Sequence, residues 1–146
     1  MPAKQDTVVD ASFLVPLMAS SVGPLSRTAV SREVVRTAGA LTAPAVLLFE
    51  LVNAVRSGQR AGLLDRAKSA TAISAAFDLC IHLEPAPDIA VSLRIAELAE
   101  AHRLSAYDAS YLELAIRTKS ALATFDASLT KAAKAEGVPL AAAGGN

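Results

Sequence analysis

Four carboxylates stand at positions where a charge needs a reason. Asp10 directly follows the β-branched run Thr7-Val8-Val9, and Asp126 lies just past Ala121-Leu122-Ala123-Thr124. Glu50 sits within Val46-Leu47-Leu48-Phe49-Glu50-Leu51-Val52, and Asp108 falls near a helix start in Leu104-Ser105-Ala106-Tyr107-Asp108-Ala109. A charge bordering an apolar helix face is unfavourable unless something pairs it. Carboxylates with no histidine or cysteine set beside them are hard oxygen donors, which suit Mg2+ or Mn2+. A cation held by them would lower the pKa of a water and offset charge building on phosphate oxygens. Each acid taken singly also has a structural use. An aspartate after a strand is commonly an N-cap, Ser105 and Asp108 fit the capping-box spacing, and Glu50 could reach solvent. Asp65 and Asp88 read as ordinary helix-start acids, so this chain employs aspartate that way elsewhere.

The elements that must position these acids follow from composition and periodicity. With 146 residues, 53% hydrophobic and 19% charged, the chain reads as one domain spanning 1–146 that buries its core without disulfides. Fourteen basic and fourteen acidic residues leave no overall field to draw in nucleic acid, so a phosphate partner must be held by a local device. Its one cysteine, Cys80, is flanked by Leu79 and Ile81 and reads as a buried thiol in a reducing compartment. No stretch is long and apolar enough to span a bilayer or serve as a secretory h-region, so the expectation is a cytoplasmic protein with no membrane partner.

Strands are expected at residues 7–9, 79–83, 121–124 and 138–143. Between them the periodicity predicts helices over 12–18, shortened or kinked by Pro16, over 26–37, and from Pro44 in a first turn through Val55, interrupted by Gly58 and Gly62. Further helices are expected over 63–77, from Asp88 to about Arg103, from Ser105, and after Asp126. Strands separated by helices imply a small parallel sheet inside a three-layer α/β/α sandwich, with ligands beyond the carboxyl ends of the strands. His82 reads as a core imidazole and His102 as a cation at a helix C-terminus. Tyr107 and Tyr111 read as packing around Asp108, or as a base-stacking pair. Arg56, Arg60 and Arg66 form a loose basic stretch able to steer phosphates.

Four ordered motifs carry a resemblance that spans nearly the whole chain. They are Val8-Val9-Asp10-Ala11-Ser12, then Ala43-Pro44 followed by Glu50-Leu51-Val52-Asn53, then the run from Leu104 through Asp108 to Ala115, and Leu122-Ala123-Thr124-Phe125-Asp126-Ala127. Together they resemble the PIN-domain ribonucleases, most closely the VapC toxins of bacterial toxin-antitoxin pairs. The resemblance implies a PIN-like α/β/α fold in which Asp10, Glu50, Asp108 and Asp126 converge on divalent metal, Mg2+ or Mn2+, as catalytic residues and ligands. It implies that Ser12, Asn53 and Thr124 orient the acids or the substrate. It further implies an RNA substrate hydrolysed to 5′-phosphate and 3′-hydroxyl ends, a small VapB-like antitoxin, and a homodimer. Competing readings are a non-catalytic binding module on the same fold and an RNA-processing nuclease without an antitoxin. A doubly wound nucleotide-binding domain ranks last, because Asp10 to Met18 contains no glycine for a phosphate loop.

Overall fold

In the computed structural model, which describes residues 3–141, the chain alternates short strands with helices. The elements in order are β1 (Thr7–Val9), α1 (Ala11–Met18), α2 (Leu25–Thr37), β2 (Leu41–Pro44), α3 (Val46–Arg60), α4 (Arg66–Asp78), β3 (His82–Glu84), α5 (Ile89–His102), α6 (Ala106–Thr118), β4 (Ala121–Ala123) and α7 (Ala127–Ala135). The strands form one parallel sheet in the order β3-β2-β1-β4. Thr7 and Val8 of β1 pair with Leu41 and Thr42, while Thr7, Val8 and Val9 pair with Ala121, Leu122 and Ala123. The chain builds outward from β1 to β3 and then returns to the other side of β1, so the order reverses between β1 and β4. In open parallel sheets that reversal opens a crevice at the carboxyl ends of the two strands.

Two helical layers cover the sheet. On one side α1 packs against α2, α3 and α4; on the other α6 crosses β1, β2 and β4, with α5 and α7 against it. Val8, Val9, Leu122 and Ala123 are wholly buried between these layers, with Phe13 and Leu14 of α1 and Leu112 of α6. This is the expected α/β/α sandwich. Helix starts follow local chemistry: the side chains of Asp10, Asp65, Asp88 and Asp126 each accept a backbone N–H three residues on, and Ser105 accepts the N–H of Asp108. Three helices end on a non-glycine residue in the left-handed region, Cys80, Arg103 and Lys119, at φ 53, 53 and 55°.

Several expectations need correction. The strand expected over 79–83 is shorter and shifted, because Leu79 caps α4 and the left-handed Cys80 turns the chain, leaving His82–Glu84 as β3. That strand lies at the sheet edge, so Cys80 and His82 are exposed and neither belongs to the core. Pro44 ends β2 and does not open α3, which begins at Val46. Pro16 lies inside α1, which runs on to Met18. In place of the strand expected over 138–143 there is a single parallel bridge between Leu122 and Leu140, with residues 142–143 outside the described part of the chain. His102 does close α5, and its Nε2 lies 2.6 Å from Glu136 Oε1. Among the described residues no helix is long and apolar enough to cross a membrane.

Gly58 does not interrupt α3. It is buried within the helix, and a Cβ there would sit 2.8 Å from Leu64 Cδ1 and 3.2 Å from Leu64 Cγ. Alanine favours a helix interior by about 1 kcal/mol over glycine, whereas displacing a packed leucine costs about 1–3 kcal/mol. Gly58→Ala is therefore expected to lower the thermal midpoint of the protein. In a Leu64→Ala background, where the obstruction is gone, the same substitution should raise it. The four midpoints of this double-mutant cycle are the check, and an unchanged sign in the two backgrounds contradicts the packing role.

Candidate active site

Asp10 leaves the carboxyl end of β1, the strand next to the topological reversal, and is 4% exposed. Its Oδ1 accepts the Phe13 N–H at 3.0 Å, the capping bond, and the Ser12 hydroxyl at 2.7 Å. Its Oδ2 accepts the Thr124 hydroxyl. Each hydroxyl in turn accepts a backbone N–H from the segment after β4: Phe125 N–H donates to Ser12 Oγ at 3.0 Å, and Asp126 N–H donates to Thr124 Oγ1 at 2.9 Å. Two relays thus run from the β4 loop through hydroxyls to the two oxygens of one carboxylate. Burial pushes Asp10 up to about 6, against the pull of Thr124, Ser12 and Phe13, and the nearby charge of Asp108 adds to the rise.

The other three acids approach from separate elements. Glu50 lies in α3, half-buried, and its Oε1 accepts the Tyr111 hydroxyl at 2.7 Å. Its pKa is raised mainly by burial, lowered in part by that bond, and raised further by Asp108 and Asp10. Asp108 occupies the first turn of α6, and its pKa is raised by burial and then by Asp126, with Ser105 opposing. Asp126 caps α7 through Oδ1, which accepts the Leu129 N–H at 2.7 Å. Asp10, Glu50, Asp108 and Asp126 are therefore linked pair by pair through mutual repulsion, although they come from β1, α3, α6 and the β4 loop. Capping and clustering prove compatible: a cap occupies one carboxylate oxygen, and the same residue still contributes its charge to the crevice.

Asn53 is exposed one turn beyond Glu50, and both line a cavity of about 580 Å3 with Ser12 of α1 and Tyr107 of α6. A larger apolar groove of about 820 Å3 continues from it between α5, α6 and the Pro85–Pro87 corner, sharing Val46, Phe49 and Tyr107. Tyr111 is the participant that sequence reasoning undervalued. It is wholly buried, its phenol pKa is driven upward by burial and by Glu50, and it therefore remains the donor that orients Glu50. Its i, i+3 spacing from Asp108 was the available signal, since that places both side chains on one helix face. Tyr107, by contrast, is exposed at the rim. Arg56, Arg60 and Arg66 are exposed outside the acid cluster.

The donor set suits a divalent cation. Among the described residues no three acidic, histidine or cysteine side chains stand close enough to form a ready-made cage. Mg2+ does not require one, because it keeps several waters and takes one or two carboxylates. Burial is the main cause that raises Asp10, Glu50 and Asp108, and the mutual repulsion that adds to it is what a cation between them would relieve.

No curated protein sequence matches this chain. Among solved structures it is similar to PAE2754 from Pyrobaculum aerophilum, with a TM-score of 0.66 and 21% identity over 88% of this chain and 84% of that one. It is also similar to VapC20 of Mycobacterium tuberculosis, a sarcin-ricin loop cleaving toxin, with a TM-score of 0.65 and 16% identity over 86% of this chain and 94% of that one. At these identities the likeness is one of fold. The PIN domain pattern matches residues 7–135, from the first residue of β1 to the last of α7 and across all four acids, and the chain belongs to the PIN domain family.

Proposed function

We propose that this protein is a divalent-metal-dependent endoribonuclease acting as the toxin of a toxin-antitoxin pair. The observation that carries the reading is the set of repulsions joining acids from four separate elements: Asp10 with Asp108, Glu50 with both, and Asp108 with Asp126. Family membership supports nuclease chemistry, and the shared fold with a VapC toxin supports the toxin role. Asp10, Asp108, Asp126 and Glu50 would hold Mg2+ or Mn2+. When bound, the cation would make a water more acidic and offset the charge gathering on the scissile phosphate.

The protein's own residues do the rest. Ser12 and Thr124 fix both oxygens of Asp10, so that this carboxylate cannot rotate away from the crevice. Tyr111 holds Glu50 by Oε1, leaving Oε2 outside that bond in a residue that lines the cavity. Glu50 and Asp108, both raised above the ordinary carboxylate value by burial and neighbouring charge, are suited to take the proton of the attacking water. In-line attack then leaves 5′-phosphate and 3′-hydroxyl ends. The apolar groove beside the acids offers a seat for an amphipathic antitoxin segment, and an arginine from such a segment could pair with the carboxylates in place of metal. A homodimer and a cytoplasmic setting complete the proposal.

Two expected outcomes test it. Purified protein should cut single-stranded or looped RNA only with Mg2+ or Mn2+, EDTA should abolish cutting, and the new ends should be 5′-phosphates. Cutting that survives chelation contradicts the mechanism. Tyr111→Phe removes the bond that lowers the Glu50 pKa, so Glu50 should titrate at higher pH. The acid limb of the pH–rate profile should therefore move upward, with activity at pH values on that limb falling by about tenfold for each unit of displacement. A limb that stays in place denies Glu50 the role of base.

A further inference from the structure

The substrate proposed above is a polyanion, and the crevice it must enter is lined by acids in a chain of zero net charge. Cations beside the crevice must therefore hold the phosphates that flank the cleaved one. Three of the nine arginines are already engaged: Arg36 with Glu33, Arg94 with Glu113, and Arg117 with Glu113 and Glu84. Arg27 is different. Like Arg32, Arg56, Arg60, Arg66 and Arg103 it is exposed and, among the described residues, forms no ion pair, but its guanidinium is the one laid against an aromatic ring.

Its guanidinium carbon lies 4.9 Å from the centroid of the Phe125 ring. Phe125 stacks in turn on buried Phe13, with centroids 4.9 Å apart and planes inclined by 25°. The backbone under Arg27 is held as well: Thr28 Oγ1 donates to Pro16 O at 3.4 Å, and Ser31 Oγ donates to Phe13 O at 2.7 Å, fastening α2 to α1. Phe125 stands between Thr124 and Asp126, and its N–H donates to the Ser12 hydroxyl that binds Asp10. The layered Arg27, Phe125 and Phe13 side chains thus set a guanidinium against the residue that separates Thr124 from Asp126, on the β4 side of the crevice.

We propose that Arg27 is a substrate-positioning residue whose guanidinium, laid on Phe125, grips an RNA phosphate next to the one that is cleaved. The proposal rests on the nuclease reading. A guanidinium stacked on an aromatic face still presents N–H donors at its edge, in a fork that matches two phosphate oxygens. Because the stack holds it in place beforehand, less side-chain freedom is lost on binding than for a free surface lysine. Arg32 provides an internal comparison, since it is exposed on the same helix but is not part of the stack.

The test is binding of a short single-stranded RNA to the full chain with Mn2+ present, in an Asp108→Asn background that suppresses cleavage, read as the dissociation constant against salt concentration. Arg27→Gln should weaken binding by about tenfold at low salt and reduce the slope of log affinity on log salt by about one. Arg27→Lys should retain the slope while losing part of the affinity, and Arg32→Gln should change neither. An unchanged slope for Arg27→Gln, or an equal loss for Arg32→Gln, overturns the assignment while the nuclease reading stands. Thermal midpoints measured alongside exclude unfolding as the cause, because the guanidinium is exposed and Arg27→Lys keeps most of the stem. Failure of the Asp108→Asn protein to bind RNA at all, joined to failure of the unsubstituted protein to cut it, overturns the nuclease reading and this inference with it.

Discussion

The arrangement of the molecule depends on one buried carboxylate held at both oxygens. Asp10 receives Ser12 from its own helix turn and Thr124 from the β4 loop, and those hydroxyls receive the N–H groups of Phe125 and Asp126. A parallel sheet supplies no hydrogen bonds beyond its strand ends, so the crevice where the strand order reverses would otherwise be loosely defined. The two relays close it. They bind the end of β1 to the segment after β4 and fix the start of α7. A carboxylate is needed there because two hydroxyls and a backbone N–H all donate to it.

This arrangement carries an electrostatic penalty that the core must offset. Asp10 is pushed up to about 6 by its burial, and Glu50 and Asp108 rise for the same leading reason. The helices bearing these acids are nevertheless held firmly. Leu47 and Leu51 anchor α3, while Leu112 and Leu114 anchor α6, and all four side chains are almost wholly buried. On the outer side of α6, Glu113 is 3% exposed and lies between Arg94 and Arg117. Its partners neutralise that buried charge, whereas among the described residues the acids of the crevice form no ion pair and are held by hydroxyls and backbone N–H groups. The contrast separates a carboxylate neutralised by arginines from carboxylates left to repel one another.

Much of this was legible in the sequence because local chemistry and global fold agree. The β-branched run ending at Asp10, the capping residues Asp65, Asp88 and Ser105, and the alternation of strand and helix all lead to a parallel sheet with acids at its carboxyl edge. The errors have physical causes. Cys80 occupies a left-handed position usually held by glycine, so no residue signalled the end of α4, and an apolar run that looked like a buried strand became an exposed turn and an edge strand. Gly58 read as a helix breaker because its contact with Leu64 is tertiary. Tyr111 looked like packing because its partner, Glu50, is 61 residues away. Arg27 gave no signal either, since only the fold lays it on Phe125.

The central claim is that Asp10 is held in a strained ionic state that a cation relieves, and unfolding measurements reach it directly. Burial raises the folded-state pKa of Asp10 from 3.8 to about 6, so the folded protein binds this proton more tightly than the unfolded chain. Its contribution to stability is therefore complete below about pH 4 and is lost as pH rises through about 6, a difference of about 3 kcal/mol at neutral pH. The measurement is unfolding free energy for the unsubstituted protein and Asp10→Asn, at pH 4 and pH 7, with EDTA and with Mn2+. In EDTA, Asp10→Asn should gain on the unsubstituted protein between pH 4 and pH 7, and at pH 7 Mn2+ should stabilise the unsubstituted protein far more than the variant. Parallel pH dependences in EDTA, together with an equal response to Mn2+ in both proteins, would contradict the account.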